Sequence, residues 1–96
     1  MERADNYNYL KAQLLFKLYR KGMWGGRHTP LKNLFHLMDK VSVKESKKAL
    51  KELNNSGWIM IKTSTGEEHI SLNSHKKKEI KEFILNALKI NPSLLD

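Results

Sequence analysis

The sequence predicts a mainly α-helical domain with a small β-hairpin, an α+β class in the order helix, helix, helix, hairpin, helix. Three observations carry this reading. Apolar residues recur at helical spacing in four separate segments, capping signals stand before the later ones, and a β-rich stretch around a glycine turn divides the third from the fourth. Ninety-six residues, 40 % hydrophobic and 29 % charged, are enough for one modest core. Without a repeat or long linker, residues 1–96 read as a single domain, ordered over about 7–90 and frayed at both ends.

The first helix is expected over 8–21, where Tyr9, Leu10, Ala12, Leu14, Leu15, Phe16, Leu18 and Tyr19 surround most of the circumference. Such a helix belongs at the centre of a fold. Gly22, Gly25 and Gly26 interrupt it and leave Met23 and Trp24 to fold back onto the core. Thr29-Pro30 signals a new helix, because Thr caps free amides and Pro at the first position loses no hydrogen bond. Leu31, Leu34, Phe35 and Met38 supply the buried stripe of that second helix. After a tight connection at 39–41, Ser42-Val43-Lys44-Glu45 reads as a capping box that starts a third helix over 42–56. Gly57 stops it. Residues 58–63 and 69–72 then form a hairpin around Ser64-Thr65-Gly66. Ser74 caps a last helix, with Ile80, Phe83, Ile84, Ala87 and Leu88 on one face, and Asn91-Pro92 ends it.

Charge is the most informative part of the composition. Eighteen Lys and Arg against ten Asp and Glu give a net charge of +8, and the pI near 9.8 lies in the range of nucleic-acid-binding domains. The absence of cysteine rules out disulfides and thiolate metal sites and fits a reducing interior, so the expected location is cytoplasmic. No apolar run approaches a membrane span. His28, His36, His69 and His75 are scattered, with no metal-binding spacing, phosphate loop or paired-carboxylate site, so neither an enzyme nor a bound cofactor or metal is expected.

At about 100° per residue, Lys47, Lys48, Lys51 and Asn55 fall within about 60° of Lys44, whereas Val43, Ser46, Leu50 and Leu53 lie on the far side. The third helix therefore has a cationic face and a dry face. With Lys40 just ahead of it, the cationic face suits phosphates. Base readout is sparse, because the stripe has no Arg and offers Asn only at its far end. Thr29, Lys32 and Asn33 at the start of the second helix are further phosphate candidates, although for Thr29 simple capping is the preferred role. Lys76, Lys77, Lys78 and Lys81 form a second basic cluster, diluted by Glu79 and Glu82.

The pattern Val41-Ser42-Val43, Ser46, Ala49-Leu50, Leu53, Gly57 and Ile59 resembles the winged helix-turn-helix superfamily of DNA-binding domains, of the small prokaryotic or archaeal type. The resemblance spans roughly 7–88. It implies that 43–55 is the recognition helix, that 31–38 braces it, and that double-stranded DNA is the partner of a transcriptional regulator. The chain departs from that pattern at the wing tip, Ser64-Thr65-Gly66-Glu67-Glu68, where two carboxylates would repel a phosphate. Lys62 at the wing's base is left with a backbone role. A protein-interaction module of the same fold, or an RNA-binding protein using Tyr7, Tyr9 or Trp24 to stack bases, are the alternatives. The surplus of leucine near the C-terminus makes a homodimer through Ile80, Phe83, Ile84 and Leu88 a candidate assembly, the other reading being that this face packs on the chain's own core.

Overall fold

A computed structural model describes residues 3–36 and 38–95. Helix α1 (Arg3–Lys21) begins earlier than its apolar pattern requires. Its Ala12, Leu14, Leu15 and Leu18 are fully buried, and Tyr7, Leu10, Phe16 and Tyr19 pack around them. The all-round apolarity is explained by its neighbours, since α1 meets two other helices and the sheet. Met23 and Trp24 do fold back: Leu72 N–H donates to the Met23 carbonyl and Gly25 N–H to the Leu72 carbonyl, at 2.7 and 2.9 Å.

The second expected helix is not an α-helix. Thr29–Pro30 forms a short strand, β1, and residues 31–35 make a single 3-10 turn before His36 leaves helical geometry. The i, i+3 spacing of Leu31 and Leu34 suits the three-residue period of a 3-10 turn as well as it suits an α-helix, and both side chains are buried. A tertiary hydrogen-bonding partner decided between them, because β1 pairs with a strand some forty residues later. Pro30 is tolerated there because β1 lies at the sheet edge.

Helix α2 (Lys40–Asn55) corresponds to the predicted third helix, but it starts two residues early. Asp39 is the cap, its Oδ1 accepting the Ser42 N–H at 2.7 Å, so Ser42 is the third helical residue and not the cap. Asp and Ser are nearly equal as caps. The cap expected at Ser42 is thus displaced by Asp39, a residue that the sequence reading places in the connection. At the other end Trp58 N–H reaches the Leu53 carbonyl and Gly57 N–H the Asn54 carbonyl, the double bond of a Schellman motif. Gly57 has φ +80°, which its missing Cβ allows.

Strands β2 (Ile59–Ser64) and β3 (Glu67–Leu72) pair antiparallel with Ile61 opposite Ile70 and Lys62 opposite His69. Thr65 and Gly66, at φ +50° and +80°, make the tight turn. The sheet has three strands in the order β1-β3-β2, where the sequence had shown only the hairpin. Asn73 joins this sheet to α2: its amide donates to the Gly57 carbonyl at 2.7 Å, and its N–H donates to the Trp58 carbonyl.

Asn73, not Ser74, begins the last helical region, its Oδ1 accepting the His75 N–H. One 3-10 turn over 74–76 leads into α3 (Lys77–Leu88), which ends with Lys89 in the left-handed region, ahead of Asn91-Pro92. Ile80 and Ile84 are fully buried. The segment expected to fray is held: residues 92–95 form a 3-10 turn, Leu95 is buried, and the Tyr19 hydroxyl donates to its carbonyl at 2.6 Å. Met1, Glu2 and Asp96 lie outside the described residues. The architecture is thus mainly helical with a small three-stranded antiparallel sheet, and among the described residues no helix is long and apolar enough to cross a membrane.

The two candidate caps are separable by experiment. Asp39→Ala lowers the urea midpoint of unfolding, whereas Ser42→Ala leaves it near that of the parent protein. A larger loss from Ser42→Ala would restore the capping box.

Candidate nucleic-acid interface

The dry face of α2 is set by Ser46, Ala49, Leu50 and Leu53, all buried against α1 and β2. The Ser46 hydroxyl is placed 3.7 Å from the Met38 sulfur, to which it donates, so even this polar side chain has a partner inside. With that face turned inward, Lys40, Lys44, Lys47, Lys48, Lys51 and Asn55 are all exposed. One helix therefore brings six of the predicted residues together on a continuous surface.

The remaining four are distributed differently. Thr29 is 7 % exposed and lies in β1, its hydroxyl accepting the Asn33 amide at 3.1 Å. It caps no helix, being in a strand, and its side chain is turned away from solvent. Asn33 is exposed but spends one donor on Thr29. Lys32 is exposed and pairs with Glu67 at 3.0 Å. Lys62 is exposed on the outer face of the sheet, opposite His69.

Those pairings revise the picture of an acidic wing. The Glu67 carboxylate is drawn to Lys32 and also lies 3.5 Å from His69 Nε2. The bond from Lys32, followed by its charge and that of His69, holds the Glu67 carboxyl below its usual range. One of the two carboxylates at the tip of the β2–β3 hairpin thus has a cation of its own. His69 in turn meets His28, Nδ1 to Nδ1 at 2.9 Å with the rings edge to face, a contact in which one ring donates and the other accepts.

Sequence reasoning missed three further features. Glu52, on the flank of α2, is bonded by Lys11 of α1 at 2.9 Å, which lowers its carboxyl below the usual range. Lys11 also lies 4.8 Å above the Tyr7 ring. The Tyr7 hydroxyl is buried beside Glu52 without a hydrogen bond of good geometry. Burial first, and the neighbouring carboxylate second, push its pKa up to about 12. Next, Lys21, Lys32, Asn33 and His36 line an open cleft of about 470 Å³ beside the 3-10 turn. Lys21 and His36 had no signal, since their meeting depends on how the turn packs. Third, Val41 lies inside α2 and is 70 % exposed, where the sequence placed it in a connecting turn.

The second basic cluster has a partial structural explanation, because Lys77 stacks over the Trp24 ring at 5.6 Å. Among the residues considered for a dimer, Ile80 and Ile84 are consumed by the chain's own core. Phe83 meets Trp58 edge to face at 5.5 Å, and Leu88 is half-buried. Among the described residues, no group of three or more His, Cys, Asp or Glu is arranged to hold a metal ion.

Comparison with known proteins found no family model that matches the chain and no curated protein or solved structure significantly similar to it.

The shifted groups make stability depend on pH in two windows. Asp39, held low chiefly by the Ser42 backbone N–H, joins Glu52 and Glu67 in having a depressed carboxyl. A depressed carboxyl stabilises the fold above its unfolded value and loses that contribution as pH falls through the folded one. Urea stability should therefore drop as the pH goes below about 4.5, the ordinary Glu value, and less steeply in Glu52→Gln. Tyr7 works in the opposite direction, contributing below pH 10.0 and losing its contribution towards about 12. An ultraviolet titration should show a tyrosinate step near pH 12 that Tyr7→Phe removes.

Proposed function

We propose that this protein is a winged-helix DNA-binding protein, a double-stranded DNA-binding regulator of transcription that docks α2 in the major groove. The observation that carries this reading is the division of α2 into a buried apolar face and an exposed face bearing Lys40, Lys44, Lys47, Lys48 and Lys51. In helix-turn-helix proteins the recognition helix lies in the major groove while a preceding helix crosses the backbone; here a 3-10 turn over 31–35 stands where the resemblance implied that bracing helix. Each lysine that meets a phosphate releases a counterion, which favours binding at low salt. Lysine is a mobile point charge without the planar fork of arginine, so the grip is on phosphates more than on bases. Lys62, on the outer face of the sheet, contributes to the backbone from the wing.

An acidic protein partner is the second reading, favoured by the same cationic stripe. Salt dependence and strand preference separate the two. With four lysines on phosphates, log affinity for duplex DNA falls with log salt at a slope of about −3 to −4. Lys44→Glu combined with Lys48→Glu reduces that slope by about 2, and weakens binding on the order of a hundredfold at low salt. Lys76→Glu with Lys78→Glu changes the net charge equally and leaves most of the affinity. Equal losses from the two pairs would mean a diffuse basic surface, and no duplex binding at micromolar protein in low salt would transfer the assignment to a protein partner.

A further inference from the structure

Among the described residues, Val41 is more exposed than the other large apolar side chains that reach the surface, at 70 % against 57 % for Leu94 and 49 % for Tyr9. A single exposed apolar residue is ordinary on a protein surface. Its location on this helix is not. Val41 is the second residue of α2, and at about 100° per residue it lies about 20° from Lys48 and about 60° from Lys44. It is an apolar spot within the cationic stripe, on the side opposite Leu50 and Leu53.

Two properties make that spot a defined contact. The first turn is anchored by the Asp39 bond to the Ser42 N–H, so the backbone that carries Val41 has a fixed start. Valine in a helix keeps nearly one rotamer, in contrast to the four flexible torsions of each neighbouring lysine. A rigid methyl pair gains nothing from a phosphate. Against the base edges of a major groove it has one apolar counterpart, the C5-methyl of thymine, the other positions being donors and acceptors that it would leave unpaired.

We infer, resting on the duplex reading above, that Val41 packs against thymine methyl groups and gives this lysine helix its base preference. The lysines then supply affinity without sequence, and Val41 supplies a bias toward A·T steps. The bias is modest, because one methyl removed from water is worth about a three- to fourfold change in affinity.

Alternating dA-dT and alternating dA-dU duplexes of equal length differ only in that methyl, and need no knowledge of a cognate site. By fluorescence anisotropy at one low salt concentration, the protein is expected to bind the dA-dT duplex about three- to fourfold more tightly. Val41→Ser equalises the two affinities while keeping the salt slope, and Val41→Ile retains the preference. Because Val41 is exposed, Val41→Ser keeps the parent's urea midpoint, which separates a lost contact from a lost fold. Equal binding of the parent protein to both duplexes, or an undiminished preference in Val41→Ser, overturns the inference and leaves the duplex reading standing. Failure to bind either duplex overturns both.

Discussion

Burial of Ser46, Ala49, Leu50 and Leu53 against α1 and β2 fixes the rotation of α2 about its own axis, and the rest of the surface follows from that rotation. Each leucine taken from water stabilises the fold by about 1.5–3 kcal/mol, so turning this face outward would cost more than any exposed lysine returns. The ends of the helix are fixed as firmly as its face. Asp39 holds the start, the Gly57 motif closes the end, and Asn73 bonds that end to the sheet. A helix clamped in this way has little freedom to reorient on binding, which reduces the entropy lost when a partner docks.

Electrostatics reinforce the same division. Lys11 takes up Glu52, on the flank of α2, and Lys32 takes up Glu67 of the wing. Both pairs are partly exposed and individually contribute little to stability. Their larger effect is on the field: two carboxylates are matched by cations from other elements, so they offset less of the lysine stripe. The Glu67 pairing likewise leaves Glu68 as the carboxylate at the hairpin tip that stands outside this ion pair.

Much of this arrangement was legible in the sequence, and what was not has a common cause. The two faces of α2 could be read from spacing alone, because a local period determines which residues share a face. The stop at Gly57, the hairpin and the central place of α1 were legible for the same reason. The segment after Thr29 was misread because β1 depends on pairing with β3, a contact between residues forty positions apart. Thr29 was assigned to a helix start and a phosphate, and the strand buried it. The cap was assigned to Ser42 and is Asp39, because two residues of nearly equal capping strength stand three apart. Leu95 looked like part of a frayed end, yet Tyr19 and the core retain it. At the site, six residues of one helix were found together; the Lys32 pairing with Glu67, the His28 contact with His69 and the exposure of Val41 required the third dimension.

On the proposed function, the exposed face of α2 is the surface that meets duplex DNA. The decisive measurement is amide chemical-shift mapping of the isotopically labelled protein, titrated with a short mixed-sequence duplex at low salt. The largest changes are expected at Lys40, Val41, Lys44, Lys47, Lys48 and Lys51, with smaller ones near Lys62. Changes centred on the cleft of Lys21 and His36 or on the start of α3, with α2 unaffected, would contradict it.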